Sequence, residues 1–410
     1  MTILFFCNAK LFSQSPDSWQ QRASFPGTPR QEAAFFAVGG KGYIITGSDS
    51  AGNLLNDGWS YDPVADVWTV LAPFPGGSRR GAVGFSVKDT GYVATGFDGS
   101  NELKDIWRYD AGNDSWTRLQ DLGSYLAGNF PGRTSATAIT TDTIAYLVGG
   151  YDGSPGYVKQ VLRFNPSNDT TWSLARNFAN VSDLSLSGRR WGSGFAIGNA
   201  VYCGTGFTNS QDIKQDVWRY DPTINSWAQV ADFGGGFRSN AFAFSLWGKG
   251  YIGGGDNGAY SNDVWCYLPT LNRWTSVAPF RGGTRINAYA FVIGNRAYVG
   301  AGKDYNGILH NDCWEYTPDS TTEISTISPT ELNIAFNNGQ LQVNLSNVPD
   351  NMKYQSRIRL ISMNGIVCLE QELNPAITSI DWSSLSAGVY IYSLLQRGEL
   401  LVTGKLVKSY

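Results

Sequence analysis

The chain has 410 residues, of which 42% are apolar, 14% aromatic and only 16% charged, with a formal net charge of -3. With 48 glycines, that balance excludes a disordered chain, a coiled coil or a long helical bundle, which need more charge and less glycine. It also leaves no electrostatic footprint for nucleic acid. A single histidine, His310, excludes a metal site built from several imidazoles and any Ser-His-Asp relay not centred on it.

The first fifteen residues hold an apolar run and a Leu11-x-Ser13 small-residue site. They resemble the back half of a secretory signal peptide. Anchoring of a lipoprotein through Cys7 fits less well, because bulky Phe5 and Phe6 precede it. The five cysteines contain no CxxC pair and read as small buried hydrophobes. No run of 18 apolar residues forms a membrane-spanning helix.

From there to about residue 320 the chain repeats itself. Trp19, Trp68, Trp116, Trp172, Trp227 and Trp274 are spaced by 49, 48, 56, 55 and 47 residues. Each is followed by an arginine: Arg30, Arg79, Arg133, Arg189, Arg238 and Arg285. Thirteen residues later comes a tyrosine (43, 92, 146, 202, 251, 298), and four residues after that a glycine (47, 96, 150, 206, 255, 302). Between these marks lie short β-type runs bounded by turn residues, with no helix-period segment. Four such strands cannot bury both faces alone, and radial stacking into a closed ring covers them.

The glycine pairs Gly149-Gly150 and Gly254-Gly255, the tyrosine before them and the tryptophan opening the fourth strand resemble the kelch repeat. That family implies a β-propeller with about 50 residues per blade. The sixth unit ends at "CWEYTPD" without its own tryptophan strand, while the chain begins with an orphan one, "DSWQQRASFP". The expected fold is therefore all-β: a six-bladed kelch-type propeller over 16–320, its last blade completed by the N-terminal strand. A Ser/Thr-rich linker over 321–335 leads to a small antiparallel β-sandwich over 336–410, read from period-two alternation at Leu341, Val343, Leu345, Ile358, Leu360, Val389 and Ile391. Gly365, the Leu385–Gly388–Val389–Tyr390 turn-strand and the basic stretch Lys405–Lys408 resemble the C-terminal sorting domain of type IX secretion. The resemblance implies handling by that secretion machinery, passage through the periplasm, and a secreted or cell-surface protein.

Two sets of candidate site residues follow. An aspartate opens the third strand in five units (Asp57, Asp105, Asp216, Asp263 and Asp312), on the same face as the arginines. Arg30, Arg79, Arg189, Arg238 and Arg285 are thus expected to form repeated structural pairs with them. Unit three has Gln160 instead, which leaves Arg133 available for a ligand. The second set breaks the symmetry. The tryptophan-to-arginine spacing is 17 rather than 11 in units three and four, where Tyr125, Asn129, Phe130 and Asp183 sit in six-residue insertions. With Arg80, Arg190 and Trp191 just inside the same rim, they suit stacking on sugars or docking of a peptide.

The leading functional expectation is an exported binding module for carbohydrate or protein, monomeric and without cofactor or catalytic set. Copper chemistry of the galactose oxidase group, which shares the propeller, needs two histidines and is excluded. The sialic acid mutarotase group of exported kelch proteins needs only a carboxylate and an arginine, for which Glu32 with Arg79 or Arg80 would serve. A non-catalytic surface-coat component is the third reading. His310 is expected in a surface loop, and Asp98-Gly99 and Asp152-Gly153 are turns without calcium-ligand spacing.

Overall fold

The computed structural model describes residues 17–123, 131–153, 157–168, 172–180, 188–208 and 212–318, and, nearer the C-terminus, 333–337, 340–344, 356–362, 367–373, 377–396 and 399–408. The expected leader and Cys7 lie outside the described residues. No described helix is long and apolar enough to cross a membrane. The chain divides into two compact units, Met1–Asp319 and Ser320–Tyr410.

The first unit is a ring of six four-stranded antiparallel sheets. Blade 1 comprises Ala34–Val38, Lys41–Ile45, Gly58–Asp62 and Val67–Val70, and blades 2 to 5 repeat the order. Their innermost strands are Val83–Val87, Thr137–Thr140, Ser193–Ile197 and Phe242–Leu246. Blade 6 takes three strands from Tyr289–Ile293, Arg296–Gly300 and Cys313–Thr317, and its fourth, Ser18–Arg22, from the start of the chain. Trp19 lies opposite Tyr316 in that antiparallel register. The sheets are hydrophobic on both faces because each is sandwiched between two neighbours. Phe36, Tyr43 and Tyr109, for example, pack between blades 1 and 2.

The clasp reuses chemistry found in four other blades. In blades 1, 2, 4 and 5 an aspartate or asparagine two residues before the tryptophan accepts the hydroxyl of a third-strand tyrosine: Tyr61–Asp66, Tyr109–Asp114, Tyr220–Asn225 and Tyr267–Asn272, at 2.7 to 2.8 Å. Asp17 does the same for Tyr316 at 2.6 Å and also accepts the Ala278 amide. One feature belongs to blade 6 alone. Buried Glu315 accepts Arg22 at 2.8 Å, Arg296 at 2.6 Å and the Tyr298 hydroxyl at 3.0 Å, tying the clasp strand to its sheet.

Each second strand ends in a kink whose first residue has positive φ: Thr46, Thr95, Gly149, Thr205, Gly254 and Ala301. Glycine takes this conformation without strain, whereas β-branched threonine does not. The Thr-Gly and Ala-Gly variants therefore keep the glycine-pair backbone at a cost.

In the second unit, a three-stranded sheet (Asn333–Asn337, Gln340–Asn344, Ile377–Ile380) and a four-stranded one (Val367–Glu372, Ser356–Ser362, Gly388–Gln396, Glu399–Lys408) share one core. That core includes Leu341, Val343, Ile358, Leu360, Trp382 and Leu394, the arrangement of a small sandwich. Lys408 donates to the carbonyls of Trp382, Ser383 and Leu385, which fastens the last strand to the turn before its partner.

Candidate functional site

Two concentric arrangements sit where each blade's innermost strand begins. The outer one is a set of buried ion pairs. The Arg30 guanidinium donates to both oxygens of Asp57, at 2.8 and 2.7 Å, and to the Thr46 carbonyl, and it lies 4.7 Å from the Phe25 ring centroid. Trp59 donates its indole N–H to Asp57 Oδ2 at 2.9 Å. The same triad is built by Arg79–Asp105–Trp107, Arg189–Asp216–Trp218, Arg238–Asp263–Trp265 and Arg285–Asp312–Trp314. Burial would raise the Asp57 and Asp216 carboxyls, but hydrogen bonds and the charge of the paired arginine outweigh it and hold both below the ordinary value.

Arg133 occupies the sixth position of this set. It is fully buried and donates to the Gly149 carbonyl at 3.1 Å. Burial pushes its pKa down to about 10, against the opposing charge of Asp152. The missing carboxylate at position 160 changed the chemistry of the pair but not where the backbone puts the arginine.

The inner arrangement lies two residues further along. Glu32, Gly81, Ser135, Trp191, Asn240 and Asn287 all have left-handed backbone, with φ of 54, 61, 56, 55, 57 and 54°. Each amide from Gly81 onward donates to the carbonyl of the equivalent residue in the preceding blade, at 2.9, 2.8, 3.1, 3.0 and 3.0 Å. This chain of hydrogen bonds runs around the mouth of the central channel from blade 1 to blade 6. The six residues line a cavity of about 170 Å³ there. The backbone is six-fold and the side chains are not, so all the chemistry of the mouth comes from what each blade places at this position and the one before it.

Charge and aromatics come from blades 1 to 4. Arg80 Nη1 approaches Glu32 Oε2 at 3.6 Å. Burial raises the Glu32 carboxyl above its ordinary value, opposed by Arg80, Arg190 and Lys303. The Arg190 guanidinium carbon lies 3.6 Å from the Trp191 ring centroid, 4.8 Å from that of Tyr157 and 5.5 Å from that of Tyr151. Burial lowers its pKa, as does the like charge of Arg80, while Tyr157, Tyr151 and Glu32 oppose the shift. Phe207 meets Trp191 edge-on, closing this aromatic wall. Among the described residues no hydrogen-bond partner reaches Arg190 Nε, Trp191 Nε1 or Asn240 Oδ1. Buried polar atoms of this kind are expensive to leave unpaired.

The structure thus brings together Arg80, Arg190 and Trp191 with Glu32. Tyr125, Asn129, Phe130 and Asp183 lie outside the described residues. Sequence reasoning missed Ser135, Asn240, Asn287, Tyr151 and Tyr157. The usable signal for the first three was position, two residues after each repeated arginine. His310 sits in a loop with its Nε2 3.1 Å from Asp304 Oδ2. Among the described residues no His/Cys/Asp/Glu cluster suited to a metal ion occurs.

Comparison with known proteins agrees with this architecture. Kelch motifs match residues 29–75, 79–123 and 251–281. A secretion system C-terminal sorting domain matches residues 335–409. No curated protein matches the chain in sequence. Among solved structures, that of YjhT superposes with a TM-score of 0.58 at 18% identity, covering 71% of this chain and 96% of the other, which shows a shared fold. The chain carries Kelch motifs on a β-propeller and a type IX sorting domain, and that domain marks it for export to the cell surface or the surroundings.

Proposed function

We propose that this exported Kelch-motif propeller is a binding module that takes carbohydrate at the mouth of its central channel. The observation that carries the reading is the broken symmetry of the inner ring. On an unchanging backbone, blades 1 and 2 present Glu32 and Arg80, blade 4 presents Arg190 and Trp191 across the opening from blade 1, and Asn240 and Asn287 come from blades 5 and 6. Sugars offer hydroxyls to amides and carboxylates and a C–H face to aromatics, which is the donor and acceptor set assembled here. The unpartnered indole N–H and amide oxygen supply groups that a ligand hydroxyl satisfies. The inserted connections over 121–133 and 177–189 lead in sequence to blades 3 and 4, and Tyr125, Asn129, Phe130 and Asp183 are proposed to extend the rim there.

The test is a glycan array probed with the full chain, followed by Trp191→Ala and by removal of residues 124–129 and 180–185. The reading expects a defined set of glycans to bind, and each change to abolish retention with little effect on thermal stability. Binding that survives both changes would count against the site. A blank glycan array with capture of a defined peptide would move the ligand class to protein, and blanks in both would favour the surface-coat component.

One observation favours a second reading, an epimerising enzyme of the sialic acid mutarotase kind. Burial raises the Glu32 carboxyl beside Arg80, and a carboxyl poised nearer neutrality is what general acid–base work requires. NMR of sialic acid and uronate anomers with catalytic amounts of protein decides this: no acceleration of anomer exchange removes it.

A further inference from the structure

Below the mouth the channel continues to a second chamber of about 300 Å³, lined at its far end by Ala37, Ser86, Thr140, Ala196, Ser245 and Val292. Between the chambers lies one layer of residues, each five positions after a repeated arginine: Phe35, Gly84, Ala138, Gly194, Ala243 and Ala290. The first five of these line both chambers. Five of the six have no side chain larger than a methyl group. Only blade 1 places a phenyl ring in the layer. Beside it the backbones of blades 1 and 2 approach closely, since a Cβ on Gly84 would lie 2.4 Å from the Phe35 carbonyl oxygen.

We infer that Phe35 is the floor of the mouth site, and that the ligand enters end-on, presenting one terminal sugar ring rather than passing a chain through the channel. The inference rests on the carbohydrate reading and adds ligand polarity to it. With only glycine and alanine in this layer the channel would be open from face to face and would admit a threaded polymer. On this inference Phe35 closes the bottom of the mouth, whose lining includes Trp191, Glu32, Asn240 and Asn287. An aromatic floor under polar walls matches a pyranose standing in the opening, its C–H edge against the phenyl ring and its hydroxyls at the walls. A linear chain lying flat across the mouth would leave Phe35 untouched. Phe35 is accordingly a specificity-determining residue for ligand end against ligand interior.

Two measurements on the full chain test this. Methyl glycosides of glucose, galactose, mannose and N-acetylglucosamine, and the linear trisaccharides of the same sugars, are titrated by saturation-transfer NMR against wild type, Phe35→Ala and Phe35→Leu. The sugar that binds is expected to do so within about threefold as monosaccharide and trisaccharide, and Phe35→Ala to weaken both by roughly tenfold, the loss of one aromatic contact. Phe35→Leu, which keeps an apolar floor, should lose less. A trisaccharide bound more than tenfold tighter than its monosaccharide and indifferent to Phe35→Ala would overturn end-on entry. Crystals pressurised with xenon supply the arm that needs no sugar, since xenon occupies apolar cavities. Phe35→Ala should gain a xenon site among Ala138, Gly194 and Ala243 that wild type lacks, and its failure to appear would overturn the floor. If that xenon site appears while no sugar binds, the carbohydrate reading and end-on entry both fail and the floor stands.

Discussion

Two residues of chain separate the buried arginine of each blade from the left-handed residue at the channel mouth, yet the two rings follow opposite rules. In the outer ring five blades repeat the same Arg–Asp–Trp triad with the same donors and acceptors. In the inner ring the backbone repeats and no more than two of the six side chains are alike. What every blade needs in order to stand is repeated, and what the molecule needs once is not. Carboxylates show the contrast most directly, since Asp57 and Asp216 are held below their ordinary pKa and Glu32 above it.

The largest effects belong to the repeated ring and the clasp. Asp216→Ala leaves Arg189 buried without its carboxylate, and the expected loss is about 3–5 kcal/mol in urea unfolding. Trp19→Ala should cost a similar amount, about 3–5 kcal/mol, because that side chain is buried against Phe280 and Tyr316 at 5.0 and 4.8 Å. A loss below 1 kcal/mol in either variant would mean that the ring does not depend on the pair or on the clasp. Blade 3 offers the converse test. Gln160→Asp restores the carboxylate found in five other blades and is expected to add about 1 kcal/mol; a fall in stability would show that blade 3 has settled into a different arrangement.

The pH dependence carries opposite signs in the two rings. A carboxyl lowered in the folded state stabilises above its unfolded pKa, so the contributions of Asp57 and Asp216 are lost as pH falls through their folded values, below about 4. Glu32 is raised, so the folded state binds its proton more tightly. Its contribution falls as pH rises from its unfolded value, about 4.3, through the folded one. Glu32→Gln should therefore melt higher than wild type at pH 7, with the difference vanishing below pH about 4. A difference that grew on acidification would reverse the assignment. The smallest effect is local strain: Thr95→Gly should gain about 0.5–1 kcal/mol, the relief at positive φ exceeding the entropic cost of glycine, and a loss of stability would show that Thr95 has compensating contacts.

The fold was legible because it is written six times. Arginine, tyrosine and glycine recur at fixed offsets after each tryptophan strand, the orphan strand around Trp19 announced the clasp, and an aspartate opening the third strand announced five ion pairs. The mouth was only partly legible for the same reason. Arg80, Arg190 and Trp191 stood out beside a repeated arginine, but Ser135, Asn240 and Asn287 belong to a position whose residue type changes between most blades. Nothing in the identity of Glu32 or Trp191 signals the left-handed backbone that both adopt. Tyr151 and Tyr157 reach Arg190 from the neighbouring blade, and Phe35 looks in sequence like any other inner-strand aromatic. Its placement in the channel layer depends on which side of the strand faces the axis.

The separation of support from recognition is tested most directly by titrating a glycan selected on the array into the Trp191→Ala chain by calorimetry, under conditions where its folded state is verified by urea unfolding. The account predicts that the binding heat disappears while the unfolding midpoint stays close to that of wild type. Undiminished affinity in a folded Trp191→Ala protein would contradict it and move recognition away from the channel mouth.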